Sequence, residues 1–277
     1  MRELPEVEVL RRDLERECAG KKIKTVEAKS MALLGNYKNR KSFTSQLDGV
    51  KVNSVTRHGK LLQFHLDNDH IMAVTVGATT NLVRASNRAA EIPNTEIVIT
   101  FTQHGGLRII DGEGSGDVQI VPAEEFADAY PALANLGIDP IAAPVSWTTF
   151  GEMLIKNKGK LKNLLTDETF IAGIGSMYAD EILFTAGLRY DRVSTTLSTQ
   201  EIRRLYRALV ETLHDAIKYR GTSLEDDSYV DAHGESGEYQ THLSVYGKDG
   251  ELSPRSRTPI LRSKFGGEWT YYCDTQV

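Results

Sequence analysis

The sequence predicts an α+β protein in which one helix leads into an N-terminal β-sandwich and a helical domain ending in a β-hairpin follows. Short apolar runs separated by turn residues recur between residues 22 and 121, which is typical of a sandwich or barrel. Apolar residues recur at helical spacing after residue 147, and two strand-like runs flank "GG" near the C-terminus. The length of 277 residues also favours two domains.

Residues 3–18 are predicted to form the first helix. Pro5 suits a first helical turn, and the carboxylates of Glu3 and Glu6 complement the positive end of the helix dipole. An apolar stripe at helical spacing gives the helix one face to bury. The stripe consists of Val7, Leu10 and Leu14.

The segment 136–147, "LGIDPIAAPVSW", contains two prolines and few charges, as a linker does. We therefore predict a sandwich domain over residues 1–135, this linker, and a helical domain over residues 148–225. Residues 226–277 form a C-terminal region with an acidic loop and the hairpin.

Two helices are predicted within the helical domain. The first runs from about Ser176 to Ala186 behind a "GIG" turn, and we expect Ser176 to cap it. The second begins at Ser198, which forms a capping box with Glu201. Backbone N–H groups at the "GIG" turn are suited to an anion, although such a turn alone is a weak motif.

The net charge of −5 argues against a protein that coats nucleic acid through a basic domain. The charge is unevenly distributed, however, because "IKNKGKLKNLL" is basic and residues 225–238 are acidic. A single charged run is ordinarily solvated surface, whereas basic runs beside helix starts favour a phosphate track. The basic run contains Lys156, Lys158, Lys160 and Lys162.

No stretch approaches the roughly 18 apolar residues of a membrane span, and the charged N-terminus lacks a signal-peptide core. We expect a cytoplasmic monomer without membrane contact, associated with the nucleoid if it is bacterial. Cys18 is predicted to be a buried free thiol, and a disulfide with Cys273 is not expected.

Four motifs lie in order along nearly the whole chain: "ELPEVEVLRRDL", "RHGKLLQF", "AGIGSMYADEILFTAGL", and "SYVDAHGESGEYQTHLSVYGKDGE" with the following hairpin. Together they resemble the formamidopyrimidine-DNA glycosylase and endonuclease VIII family, in which they correspond to the catalytic helix, a lysine-bearing turn, the helix-two-turn-helix and the C-terminal region. The resemblance implies a β-sandwich domain, a helix-two-turn-helix domain, and duplex DNA, possibly damaged, bound between them.

The family nucleophile is the amine of an N-terminal proline, which attacks the sugar and forms a Schiff base. This chain has Arg2 there, and a guanidinium cannot act as a nucleophile. Its bulk is expected to leave Met1 in place. Glu3 and Glu6 match retained catalytic carboxylates, and Lys60 matches the second catalytic lysine; helix-dipole complementation by Glu3 and phosphate contact by Lys60 remain open alternatives.

The side chains that fill the gap left by an extruded base in this family fall on Ala78, Gly114 and Ser115. None of these can wedge into a base stack. The glycine and serine predict an ordinary tight turn.

The resemblance places the four zinc ligands of the family ribbon on Ser253, Ser256, Cys273 and Gln276. Only one of these is a usual zinc ligand, so we expect neither metal nor cofactor. The family arginine that binds phosphate falls on Glu268, a reversal of charge. The apolar and aromatic side chains of the hairpin are predicted to pack it as a core: Ile260, Leu261, Phe265, Trp269, Tyr271 and Tyr272.

Lys162, Ser176 and Tyr178 match the family positions that contact the DNA backbone, and Lys156, Lys158 and Lys160 are predicted to add phosphate contacts. Each alone has a simpler interpretation as a surface or capping residue.

Three functions are compatible with these features. The first is a divergent member of the base-excision-repair lineage that binds DNA or lesions and has lost imine-forming lyase chemistry. The second is an active glycosylase in which Glu3 activates water or Lys60 is the nucleophile. The third is an interaction module unrelated to DNA, which fits the acidic composition.

Overall fold

The structure, a computed structural model, describes residues 2–86, 90–103, 105–224 and 229–277. The chain divides into two compact units. The first boundary between them follows Ala134, just before the predicted linker. Unit 1 comprises Met1–Ala134 and Tyr219–Gln240, and unit 2 comprises Asn135–Lys218 and Thr241–Val277. The predicted C-terminal region 226–277 is therefore divided, because residues 219–240 belong to unit 1.

Unit 1 contains two four-stranded antiparallel sheets, ordered β1-β6-β7-β5 and β2-β3-β4-β8, which confirms the α+β class with an N-terminal sandwich. The strands are β1 (Ile23–Ala28), β2 (Val52–His58), β3 (Leu61–Leu66), β4 (His70–Thr75), β5 (Thr80–Ala85), β6 (Thr95–Phe101), β7 (Gly106–Asp111) and β8 (Asp117–Pro122). Strand β6 shows why such segments form strands, since its buried and half-buried residues alternate strictly.

Helix α1 (Leu4–Cys18) packs its predicted stripe into the core of unit 1, and the shorter helices α2 (Arg40–Thr44) and α3 (Phe126–Ala129) lie in the same unit. Cys18 is a buried free thiol, as predicted, and burial raises its pKa to about 12. This thiol is therefore an apolar core group rather than a nucleophile.

Hydrogen bonds explain why residues 219–240 belong to unit 1. The N–H of Arg84 donates to the carbonyl of Ala232 at 2.7 Å, and the N–H of Val230 donates to Oδ1 of Asn81 at 3.2 Å. Asn81 and Arg84 both lie in β5, so residues 219–240 are attached to the sandwich along this one strand.

Unit 2 contains the helices α4 (Trp147–Lys156), α5 (Leu161–Leu165), α6 (Ser176–Ala186) and α7 (Thr199–Lys218). The capping box of α7 forms as predicted, since the N–H of Glu201 donates to Ser198 Oγ at 3.3 Å and the N–H of Ser198 donates to Glu201 Oε2 at 2.7 Å. Helix α6 has the predicted bounds, but its N-cap is Gly175 rather than Ser176. In the described part of the chain, no helix has the length and apolar composition needed to cross a bilayer.

The hairpin consists of β9 (Leu261–Phe265) and β10 (Glu268–Tyr272), paired in antiparallel register. Gly266 and Gly267 have φ values of 62° and 87°. A two-residue hairpin turn with both central φ angles positive matches the twist of the strands, and glycine adopts it without steric cost.

Hydrogen bonds connect the side chains at the positions that resemble a zinc site. Ser256 Oγ lies 2.9 Å from Cys273 Sγ, and Gln276 accepts from the N–H of Cys273 at 2.7 Å while it donates to the carbonyl of Leu188 at 2.7 Å. Burial opposes ionisation of Cys273, but hydroxyl hydrogen bonds outweigh it and lower the pKa of this thiol to about 7. Within the described ranges, no group of three or more His, Cys, Asp or Glu residues is arranged to hold a metal ion.

We expect the thermal unfolding midpoint to be the same with and without a strong chelator, because the connections at the hairpin base are hydrogen bonds. Gln276→Ala should lower the free energy of unfolding by roughly 1 to 3 kcal/mol, since it leaves buried groups without partners. Calorimetry of both proteins, with zinc content from atomic absorption, checks this. Stoichiometric zinc, or destabilisation by the chelator, would contradict it.

Candidate functional site

Arg2 lies in a closed polar cluster immediately before α1. Its side chain is 1% exposed, and NH2 donates to Asn81 Oδ1 at 3.0 Å. The guanidinium carbon lies 5.1 Å from the centre of the Tyr229 ring, within the range of a cation–π contact. A buried cation therefore occupies the position that the sequence resemblance assigns to the nucleophile.

The Tyr229 hydroxyl stays protonated beside this cation. Burial raises its pKa well above the ordinary value of 10, and the negative charges of Glu6 and Asp231 act in the same direction. The hydroxyl donates to the carbonyl of Arg220 at 3.1 Å. Its role in the cluster is to present an aromatic face and to fasten the segment that contains it.

Glu3 and Glu6 are both buried at the start of α1, where they form a capping box. Glu6 uses both carboxylate oxygens: Oε2 accepts from the N–H of Glu3 at 3.1 Å, and Oε1 accepts from the N–H of Thr222 at 2.9 Å. These contacts give Glu6 a structural function as a connection between α1 and residues 219–240. A catalytic function for Glu3 and Glu6 stays a prediction.

Lys60 is half-buried in the turn between β2 and β3, directly after Gly59. The turn is supported by Arg57, whose NH1 donates to the carbonyl of Gly59 at 3.2 Å and whose Nε donates to Glu8 Oε2 at 2.6 Å. Burial would raise the pKa of Glu8, but ion pairs with Arg11, Arg57 and Arg12 outweigh it and lower that pKa to about 2. This buried pair was not predicted from the sequence, although "RHGK" places a second cation three residues before Lys60.

Asp111 organises the two loops that correspond to the gap-filling loops of the resembling family. Its carboxylate accepts hydrogen bonds from the hydroxyl of Thr80 at 2.9 Å and from the N–H of Gly116 at 2.8 Å. The Thr79 hydroxyl and the N–H groups of Glu113 and Gly114 also donate to it. Although burial alone would raise the pKa of Asp111, these bonds lower it to about 2.

The two loops are also joined directly, since the N–H of Thr79 donates to Ser115 Oγ at 3.0 Å. Gly114 has a φ of 66° and Ala78 is exposed. The predicted tight turn is therefore present, and Ala78, Gly114 and Ser115 are too short to enter a base stack. The role of Asp111 was not predicted from the sequence, although "DG" is a turn signal.

Lys162 differs from its expected position as a surface cation, because its side chain is only 4% exposed. Nζ donates to Asp180 Oδ1 at 2.7 Å and to the carbonyl of Trp269 at 3.3 Å. Asp180 also accepts from the Thr270 hydroxyl at 2.6 Å and from the N–H of Tyr271 at 2.9 Å. Burial raises the pKa of Asp180 to about 6 against the effect of these donors. The pair connects α5, α6 and β10.

Tyr178 lies on the inward face of α6 and is 0% exposed in the core of unit 2. Its contact with DNA stays a prediction. Ser176 is half-buried, and its hydroxyl donates to the carbonyl of Trp269 at 3.3 Å. Direct contact of Ser176 with DNA stays a prediction.

Lys156, Lys158 and Lys160 are exposed, as a phosphate track requires. Lys156 ends α4, and the other two lie in the connection to α5. Lys160 Nζ lies 5.2 Å from the centre of the Phe265 ring, which places this cation at the tip of the hairpin. Of the predicted DNA-binding residues, these three have their charges on the surface of unit 2.

The prediction that the apolar and aromatic side chains of the hairpin form a core is wrong for Trp269 and Leu261, which are 41% and 40% exposed. Arg262 and Lys264 place their cationic groups 4.6 and 4.2 Å from the centre of the Trp269 ring. Tyr271 and Tyr272 are half-buried, and Ile260 is buried as predicted.

Comparison with known families gives two matches along the chain. Residues 1–118 match the formamidopyrimidine-DNA glycosylase N-terminal domain, and residues 136–228 match the formamidopyrimidine-DNA glycosylase H2TH domain. Together the two matches cover well over half of the chain, and the second begins at residue 136, where the predicted linker begins.

Curated relatives and solved structures agree with these matches. The formamidopyrimidine-DNA glycosylase of Geobacillus kaustophilus is 35% identical over 273 residues, covering 99% of this chain and 98% of that protein. A complex of Lactococcus lactis Fpg with DNA containing an abasic site has a TM-score of 0.85 and 28% identity, over 98% of this chain and 97% of that chain. MutM (Fpg) of Thermus thermophilus has a TM-score of 0.83 and 32% identity, over 99% and 97%.

We expect Asp111→Asn to lower the free energy of unfolding by about 2 kcal/mol at neutral pH. Because the pKa of Asp111 is lower in the folded protein, its stabilisation is present above pH 3.8 and is lost as the pH falls through about 2. Urea unfolding of both proteins from pH 7 to pH 2 checks this, and the difference should disappear at the acid end.

Asp117→Asn is the matched control, because burial shifts the pKa of Asp117 in the opposite direction. Burial disfavours the charged form of the Asp117 carboxylate, so this variant should lose no stability at neutral pH. A pH-independent loss in Asp111→Asn would mean that its hydrogen bonds do not depend on the charge.

Proposed function

The chain belongs to the formamidopyrimidine-DNA glycosylase family, and from this premise we propose that it binds damaged duplex DNA in base excision repair without forming an imine with the sugar. The observation that carries the proposal is the position of Arg2. A guanidinium is always protonated and has no electron pair to offer a sugar carbon. Asn81 and Tyr229 hold this side chain in place, so it is built into unit 1 rather than presented to a substrate.

The loops around Asp111 narrow the kind of lesion that the protein would bind. Extruding a stacked base costs a few kcal/mol, least when the base is already missing or unpaired. Ala78, Gly114 and Ser115, at the positions that fill this gap in the family, are too short to do so. We therefore expect a preference for DNA whose stack is already interrupted, such as an abasic site, the DNA named in the Lactococcus lactis Fpg complex.

Unit 2 offers the charges for binding to the DNA backbone. Lys156, Lys158 and Lys160 are exposed and close together in sequence, although the protein as a whole is acidic. A local cationic track suffices because binding to phosphates depends on the charges in contact rather than on net charge. Lys162 would act indirectly, by fixing the helices and the hairpin around this track.

A second candidate is an active glycosylase, and the retained carboxylates favour it. Glu3 and Glu6 are both buried beside Arg2, and Lys60 lies on a turn that the Arg57–Glu8 pair supports. In this alternative, Glu3 activates a water molecule for hydrolysis, or Lys60 attacks the sugar as an amine.

We expect no covalent adduct when the protein is treated with borohydride on a duplex that contains one abasic site, because the guanidinium of Arg2 cannot form an imine. Fluorescence anisotropy should nevertheless show that the protein binds this duplex more tightly than an undamaged one. An adduct on a denaturing gel that is lost in Lys60→Ala would establish the second candidate instead. Arg2→Pro serves as the comparison, since it restores the family residue at this position.

Replacing Lys156, Lys158 and Lys160 with glutamine should reduce the slope of log Kd against log salt by about 2 to 3, since each neutralised phosphate contributes about 0.9. The control carries the same change at Lys24, Lys38 and Lys41, exposed lysines of unit 1, and has the same net charge. Anisotropy titrations over a range of salt concentrations measure both slopes. Equal slopes in the two variants would show that the basic run does not contact DNA.

A further inference from the structure

The two faces of the hairpin differ sharply in character. One face carries Thr270, which is fully buried against Asp180, and Ser263, whose hydroxyl lies 2.9 Å from that of Tyr190. This inner face fastens the hairpin to α6 and to the segment before α7. The opposite, outer face carries Arg262, Lys264, Trp269 and Tyr271, of which all but Tyr271 are exposed.

The outer face presents an aromatic ring together with two cations. Trp269 lies directly opposite Lys264 in the antiparallel register, and Arg262 lies two residues from Lys264 on the same face. All three side chains are exposed, and both cationic groups lie within 5 Å of the ring centre. We call these three residues the Trp269 platform.

The surroundings of the Trp269 platform leave it cationic. Arg262 also pairs with Asp249 at 3.2 Å, but both groups are partly exposed, and such a pair exchanges readily for another anion. Glu268 lies on the inner face by strand alternation, away from the ring. Phe265, which carries Lys160 on its ring, lies on the same inner face as Glu268.

We propose that the Trp269 platform binds single-stranded DNA, with an unpaired base stacked on Trp269 and the adjacent phosphates bound by Arg262 and Lys264. An exposed aromatic ring flanked by cations is the combination that single-strand binding uses, because every base has a π-face and every nucleotide a phosphate. A duplex satisfies only the cations, since its bases are stacked on one another. An acidic peptide likewise satisfies only the cations.

This inference rests on the proposed function in one respect, namely that the polymer is DNA. It needs neither a lesion nor any chemistry at Arg2. The Trp269 platform would hold the unpaired strand that an interrupted duplex exposes, or a single strand that is not part of a duplex.

The test compares two fluorescently labelled oligomers of about 16 units, the upper end of the usual site size for a small single-strand binding module. One is oligothymidylate, and the other is a base-free oligomer with the same phosphates. Wild-type protein should bind oligothymidylate more tightly. Trp269→Ala should weaken that binding by at least about fivefold and leave the base-free oligomer unaffected, because one stacked base is lost.

Trp147→Phe is the matched control, since Trp147 also carries a cation on its ring, with Arg203 at 4.2 Å, but lies on α4. It should bind both oligomers like the wild type. Trp269→Phe should retain part of the preference for bases, and Arg262→Gln with Lys264→Gln should weaken binding of both oligomers. Circular dichroism melting of each variant establishes that it is folded.

Equal affinity of the wild type for the two oligomers would overturn the inference, as would unchanged binding by Trp269→Ala. Binding of polyglutamate as tight as that of oligothymidylate would overturn it too, because the partner would then be any polyanion. Failure to bind the abasic duplex with intact oligothymidylate binding would refute the proposed function alone.

Discussion

A carboxylate can be buried only where hydrogen bonds or cations replace its lost water, and this constraint organises both units. Glu6 joins α1 to residues 219–240, Asp111 joins two loops, and Asp180 joins α5, α6 and the hairpin. Glu181 accepts three successive backbone N–H groups, from residues 244–246, at 2.8 to 2.9 Å. Each of these acids joins segments that are distant in sequence, so irregular segments keep fixed shapes.

The same constraint explains which features could be predicted from the sequence. The bounds of α1 and α6 and the cap of α7 follow from residues within a few positions of each other, so local patterns predict them. The burial of Lys162 and Tyr178 depends on partners and packing from other helices and from the hairpin. No pattern within the basic run distinguishes Lys162, which is paired with Asp180, from the exposed Lys160.

Hydrogen bonds connect the base of the hairpin at the positions where the family has zinc ligands. The positions that resemble zinc ligands still converge, with Ser256 on Cys273 and Gln276 on both Cys273 and Leu188. Coordination bonds hold a site by geometry around one atom, whereas these hydrogen bonds distribute the support over several weaker contacts. The sequence did not predict the exposed Trp269, because a hydrophobic residue in a strand shows its face only once the register is known.

The tight turn fixed by Asp111 has a kinetic consequence for a protein that searches along DNA. A protein that inserts a side chain into the base stack must withdraw it before each move. If this protein searches DNA as proposed, Ala78, Gly114 and Ser115 would need no such withdrawal, and the making and breaking of phosphate contacts would limit its movement. Such a protein would move faster along DNA but would test each intact base pair less closely, and it would stop where the helix is already open.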